Sequence, residues 1–108
     1  MATVYKVLGQ SNPSATTNTT LYTVPSATSA VVSTLSITNL GVSTTFRVAV
    51  RPSGASIANE HYIVYDSTIN AGASIYLTIG VSLATTDVVT VYAGTATLAF
   101  SLFGSEVS

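Results

Sequence analysis

Charge is what this chain has least of. Its 108 residues carry three Lys or Arg, four Asp or Glu and one His, with a formal net charge of −1. One Lys and two Arg cannot build a basic patch, so nucleic-acid binding through phosphate contacts is not expected. There is no cysteine, which excludes disulfides and thiolate metal sites. No apolar run reaches the length of a membrane-spanning helix, so no membrane segment is expected. The start, MATVYKVLGQ, shows no basic region followed by an apolar run, and no secretory leader is expected.

The missing charge is replaced by hydroxyls: Thr and Ser make up nearly a third of the chain. The apolar fraction, 47%, is that of an ordinary globular domain, and disorder is therefore not expected. Colloidal repulsion is weak on such a surface, which suits a protein that lives in an assembly.

The apolar residues follow a two-residue period. Leu35 and Ile37 alternate with Thr34, Ser36 and Thr38, and Val31 shares the parity of Leu35. Phe46, Val48 and Val50 alternate with Arg47, Ala49 and Arg51, and Ile75, Leu77 and Ile79 with Ser74, Tyr76 and Thr78. Branched residues are frequent and no segment has helical periodicity. About eight short antiparallel strands are expected: 3–8, 21–24, 30–39, 44–51, 60–66, 75–79, 88–93 and 95–103. A polar loop or arm is expected at 10–20 and a short tail at 104–108. The fold class is all-β: one β-sandwich domain over 1–108, of jelly-roll or immunoglobulin-like topology, with a small closed barrel as the alternative.

Five of the eight Lys, Arg, His, Asp and Glu side chains lie in FRVAVRPSGASIANEHYIVYD: Arg47, Arg51, Glu60, His61 and Asp66. Glu60 and His61 are adjacent, and on a strand adjacent side chains point to opposite faces, a poor metal pair. No carboxylate dyad, nucleophile elbow or phosphate loop occurs. No enzymatic activity and no cofactor or metal are expected. Asp87 sits in a turn. Arg47 and Arg51 share a parity, and the returning strand is expected to set Glu60 or Asp66 opposite them, within the subunit or between subunits. Tyr62 and Tyr65 are expected on opposite faces of their strand. Tyr and Arg are favoured at protein contacts, so Arg47, Arg51, Glu60, His61, Tyr62, Tyr65, Asp66, Tyr76 and Tyr92 are the candidate interface. Tyrosines can also stack on sugars.

The stretches YTVPSATSAVVSTLSITNLG, FRVAVRPSGASIANEHYIVYD, LTIGVSLATTDVVTVYAG and LAFSLFGSEVS together resemble a group of small β-rich virion proteins of tailed bacteriophages, frequent in cyanophages. The resemblance covers nearly the whole chain through Tyr22, Pro25, Asn39, Arg47, Arg51, Tyr65, Asp87, Gly104 and Glu106, as scaffold positions. It implies a structural component located in the virion, foremost a capsid decoration or cement protein. The implied partner is the major capsid protein or another virion protein; the low charge, Tyr76, Tyr92 and the polar arm at 10–20 add the expectation of further copies of the chain, as a trimer or higher symmetric assembly. A tail, neck or fibre component and a carbohydrate-binding adhesion module are the alternatives.

Overall fold

The computed structural model describes residues 2–108. Eight strands follow one another: β1 (Thr3–Ser11), β2 (Thr19–Thr23), β3 (Ser29–Asn39), β4 (Thr44–Arg51), β5 (Tyr62–Ile69), β6 (Ser74–Leu83), β7 (Val88–Ala93) and β8 (Leu98–Val107). Single 3-10 turns at Pro52–Gly54 and Asn59–His61 bridge β4 and β5. One sheet has the order β1-β8-β3-β6, the other β2-β7-β4-β5. First pairs with last, second with seventh, third with sixth and fourth with fifth, all antiparallel. This is one long hairpin rolled over on itself, the jelly roll. Each sheet keeps two free edges, so the barrel alternative does not hold.

The inner faces meet in a continuous apolar core. Leu35, Ile37, Leu98, Phe100 and Leu102 come from the first sheet and Phe46, Val48 and Val91 from the second, each no more than 1% exposed. Phe46 and Phe100 cross the interface edge to face, with ring centroids 6.4 Å apart. An aromatic side chain buried this fully contributes about 3–5 kcal/mol against alanine.

Strict alternation fails in β3. Val32 stands opposite Gly104 and Thr34 opposite Phe103, so Ser33 is an extra residue in the ladder. A bulge of this kind reverses the facing of everything before it. Val32 therefore enters the core, and Val31, expected inside with Leu35, is 44% exposed.

Two glycines read as strand ends are not ends. A Cβ on Gly9 would lie 2.2 Å from the carbonyl oxygen of Leu21, and one on Gly104 would lie 2.1 Å from that of Val31. Both mark close backbone approach within or beside a strand. Accordingly β1 runs on to Ser11, and the expected tail at 104–108 is the end of β8. Beyond it, Ala2 and Ser108 exchange backbone hydrogen bonds. The expected arm at 10–20 is also tied down. Asn12 Nδ2 donates to the Leu98 carbonyl at 2.7 Å, Pro13 is buried, and the Thr16 amide donates to Ala93.

Polar groups pin both ends of the sandwich. At one end Asn39, 1% exposed, joins three turns. Its Nδ2 donates to Val42, Ile69 and Asn70 carbonyls, and its Oδ1 accepts from the Gly41 amide and Thr97 hydroxyl. Thr97 is thereby a turn residue, and β8 begins at Leu98 rather than Thr95. At the other end Tyr22 of β2 donates its hydroxyl to Glu106 Oε2 of β8 at 2.5 Å, and Lys6 of β1 reaches Glu106 Oε1 at 3.2 Å. That carboxylate links the two sheets. Hydrogen bonds from Tyr22 and then Lys6 hold it below its ordinary 4.5. Burial, and then the bond to Glu106, push the Tyr22 phenol well above its ordinary 10.0.

A depressed carboxyl stabilises the fold above its unfolded pKa, and that stability is lost as pH falls through the folded value. A raised phenol stabilises below its unfolded pKa, and that stability is lost as pH rises toward the folded value. The melting temperature should be level between about pH 5 and 9 and fall on either side. Tyr22→Phe should cost about 1–2 kcal/mol, part of a charged hydrogen bond, and flatten the alkaline fall. Lys6→Ala, at a side chain 45% exposed, should cost no more than about 0.2–1 kcal/mol. Equal costs for the two variants would contradict this division of labour.

Candidate functional site

The outer face of the β2-β7-β4-β5 sheet carries an array of tyrosines around one arginine. Its geometry comes from irregularities in β5. From Phe46 to Val48 on β4, the partner strand steps from Ser67 back to Val64, three residues against two. From Val48 to Ala49 it steps from Val64 to Tyr62, two against one. Asp66 occupies the left-handed region, φ 49°, which Asp tolerates better than most side chains. The two bulges bring Tyr62 and Tyr65 together instead of setting them on opposite faces. Their rings meet edge to face at 5.0 Å and 84°.

Arg47 on β4 is opposite Tyr92 on β7 and beside the bulge on β5. Its guanidinium carbon lies 4.3 Å from the ring centroid of Tyr65 and 4.1 Å from that of Tyr92. A planar cation between two aromatic rings gains from both ring faces. Asp66 fixes the remaining freedom: Arg47 Nε donates to Oδ1 at 2.6 Å and a terminal nitrogen to Oδ2 at 3.2 Å. The hydrogen bond from Arg47 holds the Asp66 carboxyl below its ordinary range. The same bond raises the Arg47 pKa further, so both groups are charged at neutral pH. The side chains are 22% and 42% exposed and Tyr65 is 59% exposed, so the array faces solvent. Beside it Asn59, Tyr62 and Tyr65 line an open depression of about 360 Å³.

The other expected members have different positions. Among the described residues Arg51 meets no carboxylate: β4 pairs with β5 only as far as Ala49 opposite Tyr62, so nothing on β5 faces it. Its Nε donates to Thr90 Oγ1 at 3.0 Å, and its terminal nitrogen to the Ala55 and Gly54 carbonyls. It braces the loop between β4 and β5. Glu60 and His61 are not on a strand but in the 3-10 turn Asn59–His61. His61 Nδ1 accepts the Ala58 amide at 3.0 Å, which makes it a turn residue. Tyr76, 69% exposed, stands on β6 in the opposite sheet, apart from the array. Asp87 serves its turn as expected, accepting the Ala84 and Ser53 amides at 2.9 Å each. Among the described residues no three His, Asp or Glu side chains group as metal ligands. Sequence reasoning missed Asn59, which carries no signal of its own, and the exposed Tyr5 and Phe103 of the first sheet.

Comparison of the chain with protein-family models, curated proteins and solved structures finds no match. The array offers flat apolar ring surface, one fixed cation, and an amide and hydroxyl groups beside them. Tyrosine contributes large contact area at small entropic cost, and the stack removes most of the freedom that Arg47 would otherwise lose on binding.

Carbon-detected NMR titration should place the Asp66 carboxyl below the ordinary Asp value of about 3.9. Arg47→Lys should return it most of the way, because an ammonium cannot reproduce the side-on fork. By the sign of the shift, the contribution of the pair to stability is present above the unfolded value and lost as pH falls through the folded one. An Asp66 titration unchanged by Arg47→Lys would contradict the pairing.

Proposed function

We propose that this chain is a structural component of a virion, foremost a capsid decoration protein that docks through the face centred on Arg47. The observation that carries this reading is the preset Tyr62–Tyr65–Arg47–Tyr92 array on a surface otherwise nearly free of charge. Tyr and Arg dominate the energetics of protein contacts when held in place before binding. The resemblance of the chain to small virion proteins of tailed phages points the same way. Jelly rolls occur in viral capsid domains and in lectins, so the fold is compatible with this reading without deciding it. Repeated on a symmetric shell, a weak contact of this kind gains stability by mass action. A tail or neck position would use the same face.

Carbohydrate adhesion is the second reading. It is favoured by the depression beside Asn59, where the Tyr62 and Tyr65 rings and an amide stand together as a sugar would need.

Quantitative mass spectrometry of purified particles should find the chain at a fixed ratio to the major capsid protein, set by the symmetry of the shell. Tyr65→Ala should weaken rebinding to stripped particles by about 30-fold, the loss typical of a contact hot spot. Tyr76→Ala on the opposite sheet should leave it unchanged. Absence of the chain from particles, together with glycan binding that Tyr62→Ala abolishes, would overturn the first reading in favour of the second.

A further inference from the structure

Four strand edges are free in this sandwich: β1 and β6 in one sheet, β2 and β5 in the other. Proteins ordinarily blunt such edges with short strands, bulges, prolines or charge. Three of the four are blunted here. Strand β2 has five residues and Pro25 follows closely. Strand β5 is bulged twice. Strand β6 is interrupted around Gly80, where Val81 and Thr78 face Val32 and Thr34 and the backbone is left-handed, φ 56°.

The first half of β1 has only one of these devices, a single charge. Thr3–Val7 pairs with Phe103–Val107 without a shift, and its irregularity comes only afterwards. It contains no proline, and its one charge, Lys6, is engaged by Glu106. Val4 is 52% exposed, Tyr5 84% and Val7 46%.

The direction of the free backbone groups follows from the ladder. Ala2 and Ser108 exchange both hydrogen bonds, at 2.7 and 2.9 Å. In an antiparallel pair such residues alternate with residues whose N–H and C=O point away. Val4 and Lys6 therefore bond inward to β8, and Thr3, Tyr5 and Val7 present their amides and carbonyls outward.

We propose that this edge receives the β1 edge of a second copy of the chain, antiparallel and about a two-fold axis at Tyr5. Two four-stranded sheets thereby become one of eight strands. The occupant is argued from self-complementarity. With Tyr5 opposite Tyr5 of the second copy, Thr3 falls opposite Val7, and every outward N–H and C=O of these three residues finds a partner. Lys6 falls opposite Val4, which leaves the two lysines on a diagonal of one face, each neutralised by its own Glu106. The outer side of the edge continues into Val31 and Phe103, which with Tyr5, Lys6 and Ser33 line a shallow groove. The pairing joins the two grooves across the axis into one strip in which apolar surface predominates. At a net charge of −1 per chain, little repulsion opposes the approach. This contact lies on the opposite sheet from Arg47 and does not rest on the docking reading.

Sedimentation velocity over a concentration series tests it on the full chain. The unaltered protein should dimerise. Tyr5→Pro removes one outward amide and spares the inner ladder, a position where an edge strand tolerates proline. It should raise the dissociation constant at least about tenfold with an unchanged far-UV circular dichroism spectrum. Should that spectrum change, Tyr5→Lys and Tyr5→Glu decide: each alone should be monomeric, and their mixture should form a heterodimer, because the axis then sets Lys against Glu. An unaltered protein that stays monomeric to millimolar concentration would overturn the proposal. So would a dimer indifferent to Tyr5→Pro, or a charge-swapped mixture that stays monomeric.

Discussion

The last strand, β8, is the constraint on which this fold depends. It lies between β1 and β3 and is the only link between them in that sheet. It sends Leu98, Phe100 and Leu102 into the core, each no more than 1% exposed. Near its end Gly104 lets the neighbouring backbone approach within what a Cβ would occupy, and Glu106 reaches across to Tyr22 in the other sheet. The first and last strands must meet before the sheet is complete, so the loop-closure entropy of the whole chain is spent at one ladder. Folding of this topology is expected to be slow for the size of the domain, because its contacts are far apart in sequence.

The scarcity of charge acquires a physical meaning from where the charges sit. Glu106 takes a hydrogen bond from Tyr22 across the gap between the sheets, and Lys6 of its own sheet holds the same carboxylate. Asp87 and His61 hold turns through backbone amides, and Arg51 braces the loop after β4. Arg47 and Asp66 pair on the open face between two tyrosines. The concentration of charge between residues 46 and 66 thus has two sources. One is the irregular β4–β5 connection, whose carbonyls and amides need partners. The other is the bulged strand that returns from it, which carries Asp66 to Arg47. In a chain this poor in charge, each fixed pair sets geometry more reliably than it adds net energy.

The sandwich was legible in the sequence because its inner faces are regular. Period-two runs such as Phe46 to Val50 and Leu98 to Leu102 call for apolar faces turned toward each other, which a sandwich or a small closed barrel supplies, and the open sheet edges decide for the sandwich. Their strand order was not, since alternation says nothing about which strand lies beside which. Parity counting also failed wherever a residue was inserted in the ladder. Ser33 turned Val31 outward, and the bulges at Ile63 and Asp66 put Tyr62 against Tyr65. A bulge has no composition of its own; only Asp66, in the left-handed region, is of a residue type that favours one. The glycines misled for a related reason. Gly9 and Gly104 are needed for close approach of a neighbouring backbone, which in sequence looks the same as a strand end. In the candidate site, Arg47, Asp66, Tyr65 and Tyr92 were each picked out by residue type, and their assembly into one stack required the bulge.

Arg47 is held between two rings and a carboxylate, as the centre of an exposed aromatic face. Side-chain NMR of the protein in solution tests whether it is fixed there. Ring currents from Tyr65 and Tyr92 should move the Arg47 Hδ resonances well upfield of their random-coil positions, and the Nε–H bonded to Asp66 should exchange slowly with water. Random-coil shifts and fast exchange would mean that the guanidinium is free in solution, and the preset docking face would then be contradicted.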